Sequence, residues 1–375
     1  MEKFANCNSR SICLTYTFTM GEENKTYTAK WEQCTSHIID SSCVCTKCNL
    51  IHPNRDDGVC KDCGKLALRE GNYVYFGSYP QTKVTDANLV STLTSSVGAL
   101  PTSSNSGNWT SYGYYISGSV NNYMWYIDMA LEGEKYRGVY FTSYRPNFTN
   151  SESSDSNSNQ DDNGYSTGNV YWFKYELIKW RILSESGGKA LILSELILDS
   201  QEFYPSTNSR TENGTTIYAN NWEYSTIRKW LNETFYNVAF KDLQKKLIVA
   251  TELTNDTTAK GGTGNSYAKK QNKTTDNVFL LSYSDMTNSS YGFNANSNNY
   301  DSARRKAMSD YAQAQGTYKN MSYANEINGW WWLRSPSDSS ASYASSVRYF
   351  GLVGNDSGVM GSQRGVVPAL TIMLS

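Results

Sequence analysis

Cysteine and histidine are absent from most of this sequence. All eight cysteines lie between Cys7 and Cys63, and the two histidines are His37 and His52. Residues 64–375 therefore offer neither a thiol nor an imidazole. This absence excludes Cys nucleophiles, Cys–His dyads, Ser–His–Asp triads and most transition-metal catalysis from that part of the chain.

Long apolar runs and a strong net charge are also lacking. No apolar run approaches the roughly 18 to 20 residues of a membrane span, so we expect no membrane insertion. The formal net charge is −1, so no overall field favours nucleic acid or an anionic membrane. The first residues, MEKFANCNSRSICL, contain no apolar signal core. We therefore expect no export signal in this chain, although a longer parent protein could carry one.

The clustered cysteines predict a zinc ribbon. Two CxxC pairs, Cys45 with Cys48 and Cys60 with Cys63, can each present two thiolates from one knuckle and together complete a tetrahedral site. Gly64 follows the second pair, where a knuckle commonly needs positive φ. Four thiolates leave no open position on the metal, so the zinc would be structural rather than catalytic.

Other roles for these cysteines stay open. All eight could form disulfides in an oxidising compartment. Cys43 could replace one of the four ligands, whereas Cys7, Cys13 and Cys34 have no assigned role. We interpret His52 as a loop residue rather than a ligand.

Residues 15–31 predict a hairpin, because Thr and aromatic residues alternate on both sides of the turn-like MGEEN. The segment resembles the closing hairpin of the Listeria–Bacteroides repeat of bacterial surface proteins. The resemblance is carried by Phe18, Met20, Ala29 and Trp31, and an ordinary hairpin is the alternative. We thus expect three parts: the tail of a β-rich repeat (1–34), the ribbon (35–66) and one large domain (67–375).

Apolar periodicity predicts the elements of the large domain. The predicted strands are 72–82 ending in a Pro-containing turn, two strands in 123–146 joined at Glu132–Gly133, 169–186 and 189–200 around Gly187–Gly188, and 365–374 with Pro368 at an edge or bulge. The predicted helices are 224–240 with Ser225 as N-cap, one around 239–247, and 301–316 with Gly316 after its last turn. The polar segments 147–163, 254–275 and 287–299 are predicted to be surface loops.

The large domain resembles an uncharacterised family of gut-bacterial proteins. The resemblance rests on motifs spread over residues 75–370, among them YFGSYPQT, EKYRGVYFTSYRP, STIRKWLNETFYNVAF, WWLRSP and GVVPAL. Ser337 stands where the family usually has Gly, and Val367 where it often has Arg. That family resembles the C-type-lectin fold, which also includes formylglycine-generating-type domains. The resemblance implies an α+β fold with antiparallel sheets, two or three helices and a strand near Val74 paired with one near Leu370.

The same fold presents the variable face of proteins diversified by bacterial retroelements, and residues 337–364, here called the display segment, fit that use. In those systems template adenines are mutated, which changes an Asn codon into codons for Ser, Asp, Tyr, Gly and several other residues. Within the display segment, only Met360 and Gln363 are residues that cannot arise from an Asn codon in this way. We expect the preceding Trp330–Trp332 block to anchor the segment. The expected scaffold positions are Ala341, Ala344, Val347, Gly351, Val353, Gly354, Gly358, Val359 and Gly361. The predicted ligand-binding residues are Ser337, Asp338, Ser339, Ser340, Ser342, Tyr343, Ser345, Ser346, Arg348, Tyr349, Phe350, Asn355, Asp356 and Ser357.

These features predict a non-catalytic protein that binds an unknown protein or glycan ligand, at the cell surface or secreted by analogy with the family. Tyr and Ser suit any adaptable binding surface. A purely structural surface domain is the first alternative. An enzyme related to formylglycine-generating oxidases is another, but those need cysteines that this domain lacks. A carboxylate pair drawn from Asp128, Glu195, Asp199 and Asp338 is not singled out by any spacing.

Overall fold

The structure is a computed structural model that describes residues 6–7, 13–14, 43–44, 51–52, 54–102, 104–112, 114–116, 119–121, 124–142, 164–255, 272–317, 327–337, 339–361 and 364–374. The strands as far as residue 194 are β1 (Asn6–Cys7), β2 (Cys13–Leu14), β3 (Arg55–Asp56), β4 (Val59–Cys60), β5 (Arg69–Glu70), β6 (Tyr73–Lys83), β7 (Thr110–Ser111), β8 (Tyr114–Ile116), β9 (Ser119–Asn121), β10 (Met124–Leu131), β11 (Glu134–Phe141), β12 (Val170–Ser186) and β13 (Lys189–Ser194). The remaining strands are β14 (Leu196–Ile197), β15 (Asp199–Ser200), β16 (Arg210–Glu212), β17 (Thr215–Ile217), β18 (Ile248–Val249), β19 (Thr251–Leu253), β20 (Thr274–Asp276), β21 (Ala307–Met308), β22 (Trp331–Pro336), β23 (Tyr343–Val347), β24 (Val353–Gly358), β25 (Gly365–Val366) and β26 (Ala369–Met373).

The helices of the described residues are few and short. They are α1 (Ala87–Ser96), α2 (Thr226–Trp230), α3 (Tyr236–Ala239), α4 (Asp242–Lys245), α5 (Tyr283–Met286) and α6 (Asp310–Ala314), with a π-helical turn at Leu231–Phe235 and 3₁₀ turns at Ser289–Tyr291 and Ser302–Arg304. No helix within the described ranges has the length and apolarity needed to cross a membrane. The prediction of an α+β fold built mostly from antiparallel sheets is confirmed.

Two hairpins predicted from the sequence are present. Glu132 and Gly133 join β10 to β11 with φ of 52° and 83°, and Gly187 and Gly188 join β12 to β13 with φ of 57° and 73°. Two consecutive positive φ values match the twist of flanking antiparallel strands. The local alternation and the glycines were therefore sufficient to place these turns.

The larger sheet has nine strands and is organised around β12. Its order is β18–β26–β13–β12–β11–β10–β7, with β6 paired to β12 and β5 paired to β6. At 17 residues, β12 pairs with β11 along its first part, with β6 along its middle and with β13 along its last part. The turn predicted at the end of residues 72–82 is wrong, because β6 continues through Pro80 to Lys83 with a register shift opposite Pro80.

The strand pairing implied by the lectin resemblance is also wrong. Val74 pairs with Trp180, whereas Leu370 pairs with Ile192. Strands β12 and β13 therefore lie between the two strands that were expected to meet. The predicted strand at 365–374 is interrupted at Pro368, which lies between β25 and β26, since proline cannot donate to a sheet ladder.

The helix predicted at 224–240 is present, but it contains a π-helical turn. Ser225 caps it by accepting a hydrogen bond from the backbone N–H of Arg228. Asn232 lies in the π turn and donates both to the carbonyl of Arg228, four residues earlier, and to that of Val278. Asn232 therefore connects the π turn to the chain near Val278. The second predicted helix is reduced to α4, and α1, capped by Asp86, was not predicted.

The single helix predicted at 301–316 is wrong. The segment forms a 3₁₀ turn, β21 and α6 instead, although Gly316 follows α6 with φ of 102° as expected. Arg304 and Lys306 are both buried. Side chains two residues apart point to nearly opposite sides of an α-helix. A single helix over 301–316 therefore could not bury both Arg304 and Lys306 against the groups that they contact.

A five-stranded sheet carries the Trp block, in the order β15–β25–β22–β23–β24. All six residues of β22, WWLRSP, are buried. Trp331 and Trp332 are fully buried, whereas Trp330 is half-buried. The indole N–H of Trp332 donates to the carbonyl of Gln201 at 2.8 Å, and its ring meets Phe203 edge-on. The block therefore lies in the core, as the anchor interpretation requires.

This burial yields a stability prediction. We expect Trp332→Ala to lower the free energy of unfolding by about 3 to 5 kcal/mol, because a large aromatic side chain is replaced by a cavity. Trp330→Ala is the matched control and should cost less, since Trp330 is partly exposed. Urea unfolding of both variants measures the difference, and equal tolerance of the two substitutions would contradict the anchor role.

Candidate functional site

Four potential metal ligands come together near the start of the described structure. The ligand atoms of Cys43, His52, Cys60 and Cys63 all lie within 4.8 Å of one another. The Sγ of Cys63 lies 3.5 Å from Nδ1 of His52. Ligand atoms around one tetrahedral zinc ion lie about 3 to 4 Å apart. The arrangement could therefore hold one metal ion with little adjustment.

A β-bridge and a turn position these ligands. Cys43 and His52 flank the bridged pair Val44 and Ile51, and the N–H of His52 donates to the carbonyl of Cys43 at 2.7 Å. Cys60 ends β4 and Cys63 lies in the turn that follows. Gly64 has φ of 71°, and its N–H donates to the carbonyl of Cys60 at 2.9 Å. The positive φ predicted for Gly64 is confirmed.

Crowding of the ligands affects their protonation. Hydrogen bonding to Cys63, together with burial and the nearby Cys60, raises the pKa of Cys43 to about 12. Burial acts to raise the pKa of Cys63, but hydrogen bonds, first from the Lys65 backbone, outweigh it and lower that pKa. Burial, then Arg55 and Lys65, lowers the pKa of His52 and favours the neutral imidazole that a metal requires. A bound cation would stabilise the thiolates that otherwise crowd one another.

The observed cluster overlaps the predicted zinc ligands in part. Cys60 and Cys63 belong to both sets, and Cys43 was named as a possible substitute. Cys45 and Cys48 lie outside the described residues. His52, interpreted from the sequence as a loop residue rather than a ligand, has its ring nitrogen within 4.8 Å of the three sulfur atoms and belongs to the group that could hold a metal ion. Cys7 and Cys13 are paired in the backbone register of β1 and β2, and Cys34 and the whole of the hairpin predicted at 15–31 lie outside the described residues.

The β3–β4 hairpin that carries Cys60 packs on the large domain. Val59 is fully buried and belongs to the main hydrophobic core. Gly58 has φ of 86°, and a Cβ atom there would lie 1.9 Å from the carbonyl oxygen of Tyr75. Lys241, next to α4, forms ion pairs with Asp56 and Asp57. The hairpin and the large domain thus share a core across the predicted boundary at residues 66–67.

The display segment forms the β23–β24 hairpin and the turns around it. Of the predicted ligand-binding residues, Tyr343 is 40% exposed, Ser339 is exposed, and Ser340, Ser342, Arg348, Tyr349 and Phe350 are half-buried. Val347, Val353, Val359 and Gly351 are buried, in agreement with their predicted scaffold role. Asp338 lies outside the described residues, and of Asn355 and Asp356 only the backbone is described, in β24.

Four of the predicted ligand-binding residues are buried, so their assignment to an exposed face is corrected. They are Ser337, Ser345, Ser346 and Ser357. Strand β23 is a central strand between β22 and β24, and its residues from Ala344 onward are covered on both sides. The hydroxyls of Ser346 and Ser357 satisfy each other at 2.7 Å, so small polar residues are accommodated in the core.

An aromatic cluster lies at the turn of this hairpin. It consists of Tyr300, Tyr349 and Phe350, with ring centroids 4.7 Å apart between Phe350 and each tyrosine. Tyr300 is 71% exposed. The sequence analysis named Tyr349 and Phe350 but missed Tyr300, which lies just after a low-complexity loop with no local signal of function.

Buried Arg304 holds the backbone beneath the aromatic cluster. Its guanidinium donates to the carbonyls of Met286, Asn294, Asn296, Asn299 and Gly351. Gly351 has φ of 86°, and a Cβ atom there would lie 2.0 Å from the carbonyl oxygen of Asp301. The absent side chain at Gly351 therefore lets the two segments carrying Tyr300 and Phe350 touch.

Arg348 has a different environment from the rest of the turn. Its guanidinium lies 5.2 Å from the ring centroid of Trp330, and that of Arg364 lies 4.3 Å from the same ring. Two arginines stacked on one tryptophan indicate a packing role for Arg348 in addition to any contact with a ligand.

Comparisons with known proteins identify the family of the C-terminal half. The model of the family described as a domain of unknown function, DUF6273, matches residues 187–374. The chain belongs to the DUF6273 family. No curated protein matches this sequence, and no solved structure matches the fold.

The DUF6273 region contains the aromatic cluster and the display segment but not the metal cluster.

Three of the four carboxylates considered for a catalytic pair each interact with a partner of their own. Asp128 accepts from Arg137, Asp199 accepts from Tyr79 at 2.6 Å, and Glu195 accepts from Lys306 at 2.9 Å. Burial acts to raise the pKa of Asp128, but hydrogen bonds from Arg137 outweigh it and lower that pKa. Burial raises the pKa of Asp199 to about 6 and lowers that of Lys306 to about 8.

Glu202 is a perturbed carboxyl group of the DUF6273 region that the sequence analysis missed. It lies between Gln201, whose N–H donates to the carbonyl of Arg364, and Phe203, whose N–H donates to that of Val359. Burial raises its pKa from 4.5 to about 8. Glu202 is therefore a titratable residue in a stretch of chain that pairs with the last residues of the display segment.

Metal content tests the cluster. We expect about one metal ion per chain, lost in Cys60→Ser. The double variant Cys43→Ser/His52→Ala should also lose the metal, whereas Cys45→Ser/Cys48→Ser should retain it if the four clustered residues are the ligands. The reverse result would favour the ligand set predicted from the two CxxC pairs. Metal-free protein with disulfides at these positions, shown by mass spectrometry, would contradict a metal site.

Glu202 yields a pH prediction. Because its folded pKa is raised, the folded state binds more protons than the unfolded state between about pH 4.5 and pH 8. Stability should therefore fall as pH rises through this window, by about 3 to 5 kcal/mol in total, and be constant outside it for this group. Glu202→Gln should remove that fall and be more stable than the unaltered protein at pH 8. The exposed Glu233→Gln is the matched control. Between about pH 6 and pH 8, above the raised pKa of Asp199, a fall that is equally large in Glu202→Gln and in the unaltered protein would refute the assignment.

Proposed function

We propose that this DUF6273 chain is a non-catalytic ligand-binding protein, with the aromatic cluster at the centre of its binding face. The supporting observation is that Tyr300 is 71% exposed and follows Asn299, whose carbonyl accepts a hydrogen bond from buried Arg304. Exposed aromatic groups of this kind commonly mark interaction sites. When the backbone of a binding site is held in place before binding, less conformational entropy is lost on binding and the affinity is higher.

The chemistry of the cluster fits a protein or glycan partner. Tyr300 and Tyr349 present apolar ring faces and a hydroxyl group that can exchange hydrogen bonds. The two ring pairs are inclined at 61° and 90°, so the three rings do not form one flat platform, and Tyr300 is the most exposed of them. The net charge of −1 does not favour nucleic acid.

The C-type-lectin-like fold and retroelement diversification belong to the same proposal. Antiparallel sheets, few helices and a display hairpin anchored by buried tryptophans support it. The separation of β6 from β26 departs from the expected pairing. Because Ser345 and Ser346 are buried, the positions that we propose to vary are limited to the turns of the display segment and to Tyr343. A near-copy of the codons for residues 330–370 beside a reverse transcriptase gene would support diversification.

We further propose that the metal is zinc with a structural role, and that the protein acts at the cell surface or after secretion. Three thiolates and one imidazole form a closed four-coordinate set of the kind that zinc favours. The surface location rests on the resemblance of residues 15–31 to a repeat of bacterial surface proteins and on the resemblance of the large domain to its gut-bacterial family.

Ligand arrays test the binding face. We expect unaltered protein applied to arrays of glycans and of secreted proteins to retain a ligand that Tyr300→Ala binds at least about tenfold more weakly. The free energy of unfolding of Tyr300→Ala should change by less than about 0.5 kcal/mol, because the side chain is exposed. Leu100→Ala, at an exposed apolar position outside the cluster, should bind normally.

Three outcomes would overturn this proposal. A ligand held equally by Tyr300→Ala would place the binding face elsewhere. Absence of any ligand on both arrays would favour the purely structural surface domain. Turnover of a bound ligand, which the missing cysteines and the separately paired carboxylates do not favour, would instead indicate an enzyme.

A further inference from the structure

A polar cleft of about 580 Å³ lies away from the metal cluster, in the region where the β12–β13 hairpin, β19 and β26 meet the segment leading to α5. Half of its sixteen lining residues carry a hydroxyl group: Ser184, Ser186, Thr251, Thr254, Ser282, Ser284, Tyr291 and Thr371. Leu191, Leu253, Phe279 and Leu281 add apolar surface. The volume lies within the range of pockets that bind small molecules.

Arg334 of the WWLRSP motif lines this cleft and is 7% exposed. Its Nη1 donates to the carbonyl of Leu280 at 2.8 Å and to Oδ2 of Asp285 at 2.9 Å. Its Nε is buried and has no hydrogen-bond partner among the described residues. Buried guanidinium groups normally use more of their five donors. Both of its hydrogen bonds within the described residues use Nη1, so the N–H groups of Nη2, rather than the enclosed Nε, are left to bind an acceptor in the cleft.

The cleft is lined by two cationic and two acidic side chains, so its lining carries no net charge. Of the two lining carboxylates, Asp285 is paired with Arg334, and Glu252 is paired with Lys273 at 2.7 Å. Lys189 also lines the cleft, is exposed, and forms no ion pair within the described part of the chain. Because Glu252 is paired outside the lining, an anionic group would find the uncommitted ammonium group of Lys189 together with the Arg334–Asp285 pair.

We propose that this cleft binds an acidic sugar, a saccharide that carries a carboxylate. Arg334 and Lys189 would contact the carboxylate, the serine and threonine hydroxyls would exchange hydrogen bonds with the sugar hydroxyls, and the leucine and phenylalanine side chains would contact its C–H faces. Guanidinium groups match carboxylates because their planar donors fit both oxygens. The site is separate from the aromatic cluster, and the inference does not depend on it.

Calorimetric titration of the full chain tests the ligand class. Sodium D-glucuronate should bind with a Kd below about 10 mM, and D-glucose, which lacks the carboxylate, should bind at least about tenfold more weakly. Acetate, which lacks the hydroxyls, should also bind at least about tenfold more weakly. Equal affinity for glucuronate and glucose, or no heat with glucuronate at this concentration, would overturn the proposal.

Variants locate the binding. Lys189→Glu should weaken glucuronate binding at least about tenfold, because it places a like charge beside the carboxylate. Lys246→Glu makes the same charge change at an exposed position outside the cleft and should leave affinity unchanged. Thr254→Trp fills the cleft from its exposed rim and should abolish binding without disturbing the core.

Arg334→Lys keeps the charge but loses the planar donors, so it should also bind more weakly. This variant can be destabilised, because Arg334 lies in a buried strand; Lys189→Glu and Thr254→Trp then decide the question without it. Glucuronate binding that survives both of those substitutions would show that the cleft is not the site.

Discussion

The region around the aromatic cluster depends on how one buried guanidinium is satisfied. Arg304 is fully enclosed and carries a charge that would be costly to bury without partners. Five main-chain carbonyls surround it, from the end of α5, from the polar loop at 294–299 and from the hairpin turn at Gly351. The carbonyl of Arg304 itself accepts from the indole of Trp331. A loop rich in Asn and Ser is thus tied to the Trp block, to α5 and to the display hairpin.

The same constraint operates elsewhere in the core. Arg137, 3% exposed, donates to both oxygens of Asp128 and to the hydroxyl of Tyr311, which belongs to α6. Asp199 of the five-stranded sheet accepts a hydrogen bond from Tyr79 of the nine-stranded sheet. The two sheets are therefore joined through hydrogen bonds between buried polar groups as well as through apolar contact. Such networks favour one arrangement, because any other arrangement would leave a buried charge or hydroxyl unsatisfied.

The metal cluster and the cleft illustrate two relations between local motif and long-range packing. Cys60, Cys63 and Gly64 form a local knuckle whose geometry follows from its own few residues. The cleft instead draws its lining from several elements that are distant in the chain, among them β12, β13, β19, α5, β22 and β26, so no single segment contains the whole site. Arg334 belongs to a motif visible in the sequence, but only its neighbours in space show which of its donors remain available.

The sequence by itself determined the features that depend on neighbours a few residues away. Glycine pairs and alternating residues were enough to locate the β10–β11 and β12–β13 turns, and Ser225 was enough to begin a helix. The Trp block and the buried valines of the display segment followed from the same local patterns. Cys60 and Cys63 could be assigned to a metal knuckle because their spacing is itself the geometry of the site.

Only the tertiary structure decided which polar residues are buried and which distant groups meet. Ser345 and Ser346 have the composition of an exposed face, but β23 lies between two other strands and encloses them. His52 joins the cysteines because a short bridge brings it back beside Cys43. Tyr300 lies beside Phe350 because Gly351 has no side chain, which allows the backbone of Asp301 to approach the hairpin turn closely. The burial of a polar side chain depends on partners far away in the chain, and residue type and spacing do not specify those partners.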